Sequence, residues 1–207
     1  MNEDETRALL VELAASLFQR GYSVGSAGNI SVRLADGYLM TPTNSCLGRL
    51  SAARLSRLDA GFAHVGGDAP SKEVSMHRAF YASRPDAGAV VHLHSTMATA
   101  VACLPEPDAM PLLTPYFVMR IGRSLPLVPY FRPGDPAMEG AIMAAARGAR
   151  AVLLANHGPV VSGRTLTDAV YAAEELEEAA KLALALRGAS PRALTPAQVD
   201  DLLDVFG

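Results

Sequence analysis

The succession of elements along the chain predicts an α/β fold, with a largely antiparallel or mixed sheet and helices on both of its faces. Three observations lead there. Short apolar runs of strand character are intermixed with amphipathic helical stretches, without the strict strand–helix alternation of a parallel sheet. Two of the strands are joined by a turn at Asp36-Gly37. The 207 residues are 50% hydrophobic and 19% charged, an ordinary globular balance that suits a single domain, residues 1–207, with a substantial core.

Leu9, Leu10, Leu13, Leu17 and Phe18 recur at helical spacing and predict a helix over residues 4–20, capped by Gly21. Residues 24–29 form a Gly/Ser-rich loop, and strands follow over 30–34 and 38–41. Pro70-Ser71-Lys72 opens a helix over 73–83, with Ser71 as its cap. The apolar run 88–94 predicts a buried strand carrying two histidines. Residues 96–103 and 135–147 read as helices, and 125–130 and 151–155 as strands. A long helix over 165–187 ends at Gly188, and its Glu174, Glu175, Glu177, Glu178 and Lys181 read as a solvated face. Thr195-Pro196-Ala197-Gln198 is a capping box with proline at the first helical position, and it starts the last helix.

The formal net charge is −3, with no block of like charges and no basic stripe, so a nucleic-acid partner is not expected. A small anion remains a suitable ligand, because a few local donors are enough to hold it. Cys46 and Cys103 lie far apart and in no CxxC pattern, and read as free thiols in or near the core of a protein of the reducing cytoplasm. The N-terminus is acidic and lacks a basic segment followed by an apolar run, so no signal peptide is expected. No stretch approaches about 18 uninterrupted apolar residues, so no membrane helix is expected either.

The chemistry-bearing residues are histidines. His92 and His94 are two apart on a strand, so their side chains share a face. Two adjacent imidazoles in a buried setting need a common partner, and a divalent metal such as zinc suits them. His157, in Asn156-His157-Gly158 just after an apolar strand, reads either as a turn residue or as a third ligand. Three histidines leave a coordination position open for substrate. Glu73 reads either as a first-turn glutamate favoured by the helix dipole or as a general acid/base. His77 lies four residues on, on the same helix face, where a structural role competes with an Exxx-His metal pair. His64, flanked by glycine, reads as exposed and inert. The loop Gly25–Ser31, with Thr41-Pro42-Thr43-Asn44 and Ser71-Lys72, supplies amides, hydroxyls and one positive charge suited to a phosphate. It matches neither GxGxxG nor GxxxxGK[ST], and the absence of GxSxG argues against a serine hydrolase.

Gly28-Asn29-Ile30-Ser31, Thr41-Pro42-Thr43, Glu73, His92-Leu93-His94 and Asn156-His157-Gly158, in that order and across almost the whole chain, resemble the class II aldolase/adducin-like family. The resemblance implies a three-layer α/β/α sandwich with a mixed, largely antiparallel sheet, assembled as a homotetramer with sites near subunit interfaces. It makes His92, His94 and His157 ligands of zinc or another divalent metal. It makes Glu73 an acid/base that in some members also touches the metal. It places Asn29, Thr43, Asn44, Ser71 and Lys72 at the phosphate of a small phosphorylated sugar acid or sugar. Relatives with two serines before the glutamate differ here, where Ser71-Lys72 stands. Tyr116 is the candidate for an aromatic residue contributed by a neighbouring subunit.

Further segments, among them Ala69–Glu73, His92–Thr96 and Pro129–Pro136, resemble the family's decarboxylases of 3-oxo-tetronate 4-phosphates. The expected reaction is thus zinc-dependent decarboxylation through an enediolate. The alternatives are cleavage by a sugar-phosphate aldolase and a non-catalytic, adducin-like interaction module.

Overall fold

The computed structural model describes residues 1–105, 110–132, 135 and 137–206. Its strands are β1 (Asn29–Leu34), β2 (Gly37–Met40), β3 (Ser56–Asp59), β4 (His64–Gly66), β5 (Ala89–His92), β6 (Leu127–Val128), β7 (Ala151–Leu154) and β8 (Gly158–Gly163). The helices are α1 (Glu3–Gln19), α2 (Val74–Ser83), α3 (Thr96–Ala102), α4 (Pro115–Arg120), α5 (Ala137–Ala145), α6 (Leu166–Ala185) and α7 (Pro196–Phe206).

The strands form one sheet in the order β4-β3-β2-β1-β5-β8-β7-β6. Every neighbouring pair is antiparallel except β6 and β7. Alternation along the strands feeds two cores. On one face Val91 and Leu93 pack with Leu10 and Leu17 of α1, Phe117 of α4 and Leu176 of α6. On the other, Val90, Val152 and Val160 pack with Met76 and Phe80 of α2 and Ile142 of α5. The result is the three-layer arrangement with a mixed, largely antiparallel sheet. Among the described residues, no helix is long and apolar enough to cross a membrane.

Several local expectations need correction. β3, β4, β8 and α4 carry little periodic signal and were not predicted. β8 opens with Gly158-Pro159, which reads as a turn, yet Pro159 sits opposite Leu153 in the ladder. β6 is only Leu127-Val128 because Pro126 and Pro129 flank it and neither can donate to a ladder. α2 begins at Val74 with Glu73 at its N-cap position, so Ser71 is not the cap, although its Oγ accepts the Glu73 N–H at 3.3 Å. α5 covers less than 135–147, and Asp135 caps the approach by accepting the Ala137 N–H at 2.9 Å. Pro133, Gly134 and Pro136 lie outside the described residues. Cys46 is half-buried and Cys103 exposed, so Cys103 is no core thiol.

The acidic stretch of α6 is not a plain solvated face. Glu174 pairs with Arg20, and Glu175 accepts from the Thr114 hydroxyl at 3.3 Å. Glu177 accepts the Met97 and Ala98 N–H groups at 2.7 and 2.8 Å, free donors of the first turn of α3. The long helix thus clamps the short one that follows His94. The Glu177→Ala variant is expected to lose about 1–2 kcal/mol of stability, the scale of a lost charged cap. Glu178→Ala, one residue on and exposed, should stay within about 0.5 kcal/mol. Urea unfolding of the two variants measures the difference.

Candidate metal centre

β5 lies between β1 and β8, and its last residue, His92, pairs in register with Asn29 and with Val160. His92 is fully buried. Its Nδ1 lies 2.9 Å from the Pro159 carbonyl oxygen, to which it donates, so Nε2 presents its lone pair outward. The chain then continues through buried Leu93 to His94 before α3 begins.

His157 comes from the β7–β8 turn. Asn156 takes a left-handed conformation (φ 57°), which asparagine tolerates better than most residues. The Asn156 N–H donates to the Ala102 carbonyl and the His157 N–H to that of Leu154, at 3.1 and 3.0 Å. Two glycines let neighbouring backbone close on the His92-Leu93-His94 segment. A Cβ on Gly28 would stand 2.9 Å from the His92 carbonyl oxygen, and one on Gly158 would collide with that of Leu93.

These elements bring three ring nitrogens together. His94 Nε2 lies 3.0 Å from His92 Nε2 and 3.1 Å from His157 Nε2. The rings meet edge to face. Burial, followed by the His157 and His94 charges, holds the His92 pKa well below the usual imidazole range. Burial and then His157 also lower that of His94, against an opposing pull from Glu73. Neutral imidazoles are what metal binding requires. Tetrahedral Zn–N bonds of about 2.05 Å place ligand nitrogens roughly 3.3 Å apart, close to the spacing observed. The donor set therefore fits a divalent metal ion.

Glu73 stands over the same point, its Oε1 3.5 Å from His157 Nε2 and its Oε2 3.6 Å from His92 Nε2. Oε2 also accepts from Asn29 Nδ2 at 2.7 Å. A cleft opens beside Glu73 and His94, lined by Ser26, Gly28, Thr43, Asn44, Ser71 and Lys72. Two of its loops are tied together: the Thr43 N–H donates to the Ala69 carbonyl at 2.9 Å and the Ser71 N–H to that of Thr41 at 3.3 Å. Asn44 holds a positive φ of 53° at the rim, and Lys72 is exposed.

Tyr116 lies on α4, 61% exposed, and does not line this cleft. His77 is not in the imidazole cluster. It is fully buried between Asn29 and Ser31, and burial, more than the neighbouring His92, pushes its pKa down to about 3. His64 is exposed, its Nε2 2.8 Å from the Gly66 carbonyl oxygen. Sequence reasoning placed Ser31 in the phosphate loop and overlooked Tyr81; in the structure Ser31 does not line the cleft but lies against His77, with Tyr81 on its hydroxyl. The signal was available, since Asn29 and Ser31 share one face of a strand while Glu73, His77 and Tyr81 recur at a helical spacing of four.

Comparison with known proteins agrees with the fold. The class II aldolase and adducin N-terminal domain family matches residues 8–184. The 3-oxo-tetronate 4-phosphate decarboxylase of Pectobacterium atrosepticum is 49% identical over 205 residues, covering 97% of this chain and 94% of that protein. The L-fuculose phosphate aldolase of Escherichia coli O6:H1 is 33% identical over 184 residues, covering 89% of this chain and 85% of the aldolase. The crystal structure of YgbL from Klebsiella pneumoniae superposes with a TM-score of 0.93 at 47% identity, covering 98% of this chain and 99% of that one. The chain belongs to the class II aldolase and adducin N-terminal domain family.

Proposed function

We propose that this protein is a carboxy-lyase that converts a 3-oxo-tetronate 4-phosphate to dihydroxyacetone phosphate and CO2. The observation that carries the reading is the convergence of three Nε2 atoms with a carboxylate 3.5–3.6 Å from two of them, at the edge of a cleft rimmed by hydroxyls and a lysine. A relative named for this activity is 49% identical across nearly the whole chain.

His92, His94 and His157 would hold the divalent ion, which we take to be zinc. When bound, that ion supplies Lewis-acid stabilisation of negative charge on the substrate's ketone oxygen. Thr43, Asn44, Ser71 and Lys72 hold the 4-phosphate, with Asn29 beside them in the cleft. Breaking the C1–C2 bond releases CO2, and its electron pair delocalises into the C3 ketone as an enediolate. Glu73 then gives a proton to C2 and recovers one from water, which balances the exchange of CO2 for hydrogen. Asn29 orients Glu73 through the 2.7 Å bond to Oε2.

Tyr116 is exposed within one subunit and completes the site from a neighbour in a homotetramer. The free cysteines agree with a cytoplasmic enzyme. Aldol cleavage of a sugar phosphate passes through the same enediolate, and a relative named as an aldolase is 33% identical. It is the second reading. The complete histidine cluster with Glu73 over it argues against a non-catalytic module.

The deciding assay incubates zinc-loaded protein with 3-oxo-tetronate 4-phosphate and follows CO2 and dihydroxyacetone phosphate together. Equal, metal-dependent release of both is expected. Release of neither, with cleavage of a ketose 1-phosphate instead, would transfer the reaction to the aldolase reading. Replacing His94 with Ala should abolish both metal retention and turnover while leaving a cooperative thermal transition. Full activity without bound metal would exclude the metal role. Glu73→Gln should keep the metal and lower kcat by about 10²- to 10⁴-fold.

A further inference from the structure

Behind Glu73, Asn29 continues away from the cleft into a buried line of side chains, His77, Ser31 and Tyr81, that the proposed mechanism does not use. Asn29 Oδ1 lies 2.5 Å from His77 Nε2. His77 Nδ1 lies 2.7 Å from Ser31 Oγ, which is 2.9 Å from the Tyr81 hydroxyl. Asn29, Ser31, His77 and Tyr81 are all buried. Glu73, His77 and Tyr81 stack at successive turns of α2, facing Asn29 and Ser31 on β1, so the line is a zipper between one helix and one strand.

Only one sense of hydrogen bonding satisfies the whole line. Glu73 passes its proton through Oε1, so Oε2 accepts throughout; the Asn29 NH2 must face it and the Asn29 carbonyl oxygen must face His77. His77 then carries its proton on Nε2, and its Nδ1 accepts from Ser31. The Ser31 hydroxyl, having donated its one hydrogen, accepts from Tyr81. Burial favours this set of states. It keeps His77 neutral and pushes the Tyr81 pKa well above the usual phenol range, leaving the phenol a donor. Reversing the His77 tautomer would turn the Asn29 carbonyl oxygen toward the carboxylate, acceptor against acceptor.

We propose that His77 is a positioning residue. Anchored by Ser31 and Tyr81, it locks the Asn29 amide in the one orientation that holds Glu73 over the centre formed by His92, His94 and His157. The proposal rests on the reading of Glu73 as acid/base. His77 touches neither the substrate cleft nor the three clustered histidines, so its removal should spare metal and substrate binding and impair the proton-transfer step.

The test compares His77→Phe, which fills the space without a donor, with His77→Gln, whose amide can replace the Nε2–H. Metal content, thermal unfolding, kcat and KM are measured on the zinc-loaded protein. His77→Phe should keep its metal and a KM within about twofold, while kcat falls roughly 10- to 100-fold, the scale of lost outer-layer orientation. His77→Gln should recover most of that loss. In a Glu73→Gln background, His77→Phe should add nothing further, because the two act as one unit. A folded His77→Phe with unchanged kcat, a His77→Gln as impaired as it, or a further loss on top of Glu73→Gln would each overturn the proposal. Should His77→Phe fail to fold, Tyr81→Phe takes its place. A smaller fall in kcat at constant KM, again absent in the Glu73→Gln background, supports the proposal, and wild-type kinetics overturn it. If Glu73→Gln alone runs at the wild-type rate, the acid/base reading falls and the positioning role falls with it. If Glu73→Gln is impaired and the His77 and Tyr81 variants are not, only the positioning role falls.

Discussion

Three imidazole nitrogens gathered within 4.8 Å, with His94 Nε2 only 3.0 and 3.1 Å from the other two, repel in the absence of a shared cation, and the surrounding structure enforces that crowding. The enforcement is mostly backbone. β5 is paired on both edges, so His92 cannot turn away, and its Nδ1 proton is fixed on the Pro159 carbonyl of the next strand. The β7–β8 turn brings in His157 through a left-handed Asn156, and Gly28 and Gly158 remove the side chains that would otherwise hold neighbouring backbone off. The low pKa values of His92 and His94 are a consequence of the same crowding and burial, and they leave the nitrogens free to bind a cation.

The helices serve this centre in different ways. α2 presents Glu73 at its N-cap position, where unpaired N–H groups favour a negative charge, and fastens it to β1 through Asn29 and His77. α3 begins directly after His94 and is held at its own start by Glu177 from α6. The sheet interior is therefore held on both sides where the three histidines sit. The loops proposed to hold the phosphate, tied to each other by backbone bonds near Thr43 and Ser71, line the cleft.

Much of this was legible in the residues. The spacing of His92 and His94 on an apolar strand, and of Leu9 to Phe18 on a helix, reflects periodicities that burial itself imposes. The capping box at Thr195 and Gln198 forms as read, with both reciprocal bonds present. What escaped was set by tertiary context. β8 hides behind a glycine and a proline, and becomes a strand because β5 and β7 supply ladders on both sides. Glu177 looks like its solvated neighbours until α3 is laid beside it. Ser31 and Tyr81 are ordinary residues in isolation, and acquire a role only when β1 is set against α2. Tyr116 could be nominated from resemblance alone, since no property of its own segment points toward the cleft.

The central claim is that a protein-held acid, Glu73, delivers the proton that replaces CO2 at a carbon fixed beside the three histidines. Running the reaction in D2O, reducing the dihydroxyacetone phosphate stereospecifically to glycerol 3-phosphate, in which the two hydroxymethyl hydrogens are diastereotopic, and examining that product by NMR tests it most directly. Delivery from one fixed carboxyl group places a single deuterium on the new hydroxymethyl carbon in one configuration. A product labelled equally in both configurations would mean that the enediolate is protonated by solvent after release, and would contradict the assignment of Glu73.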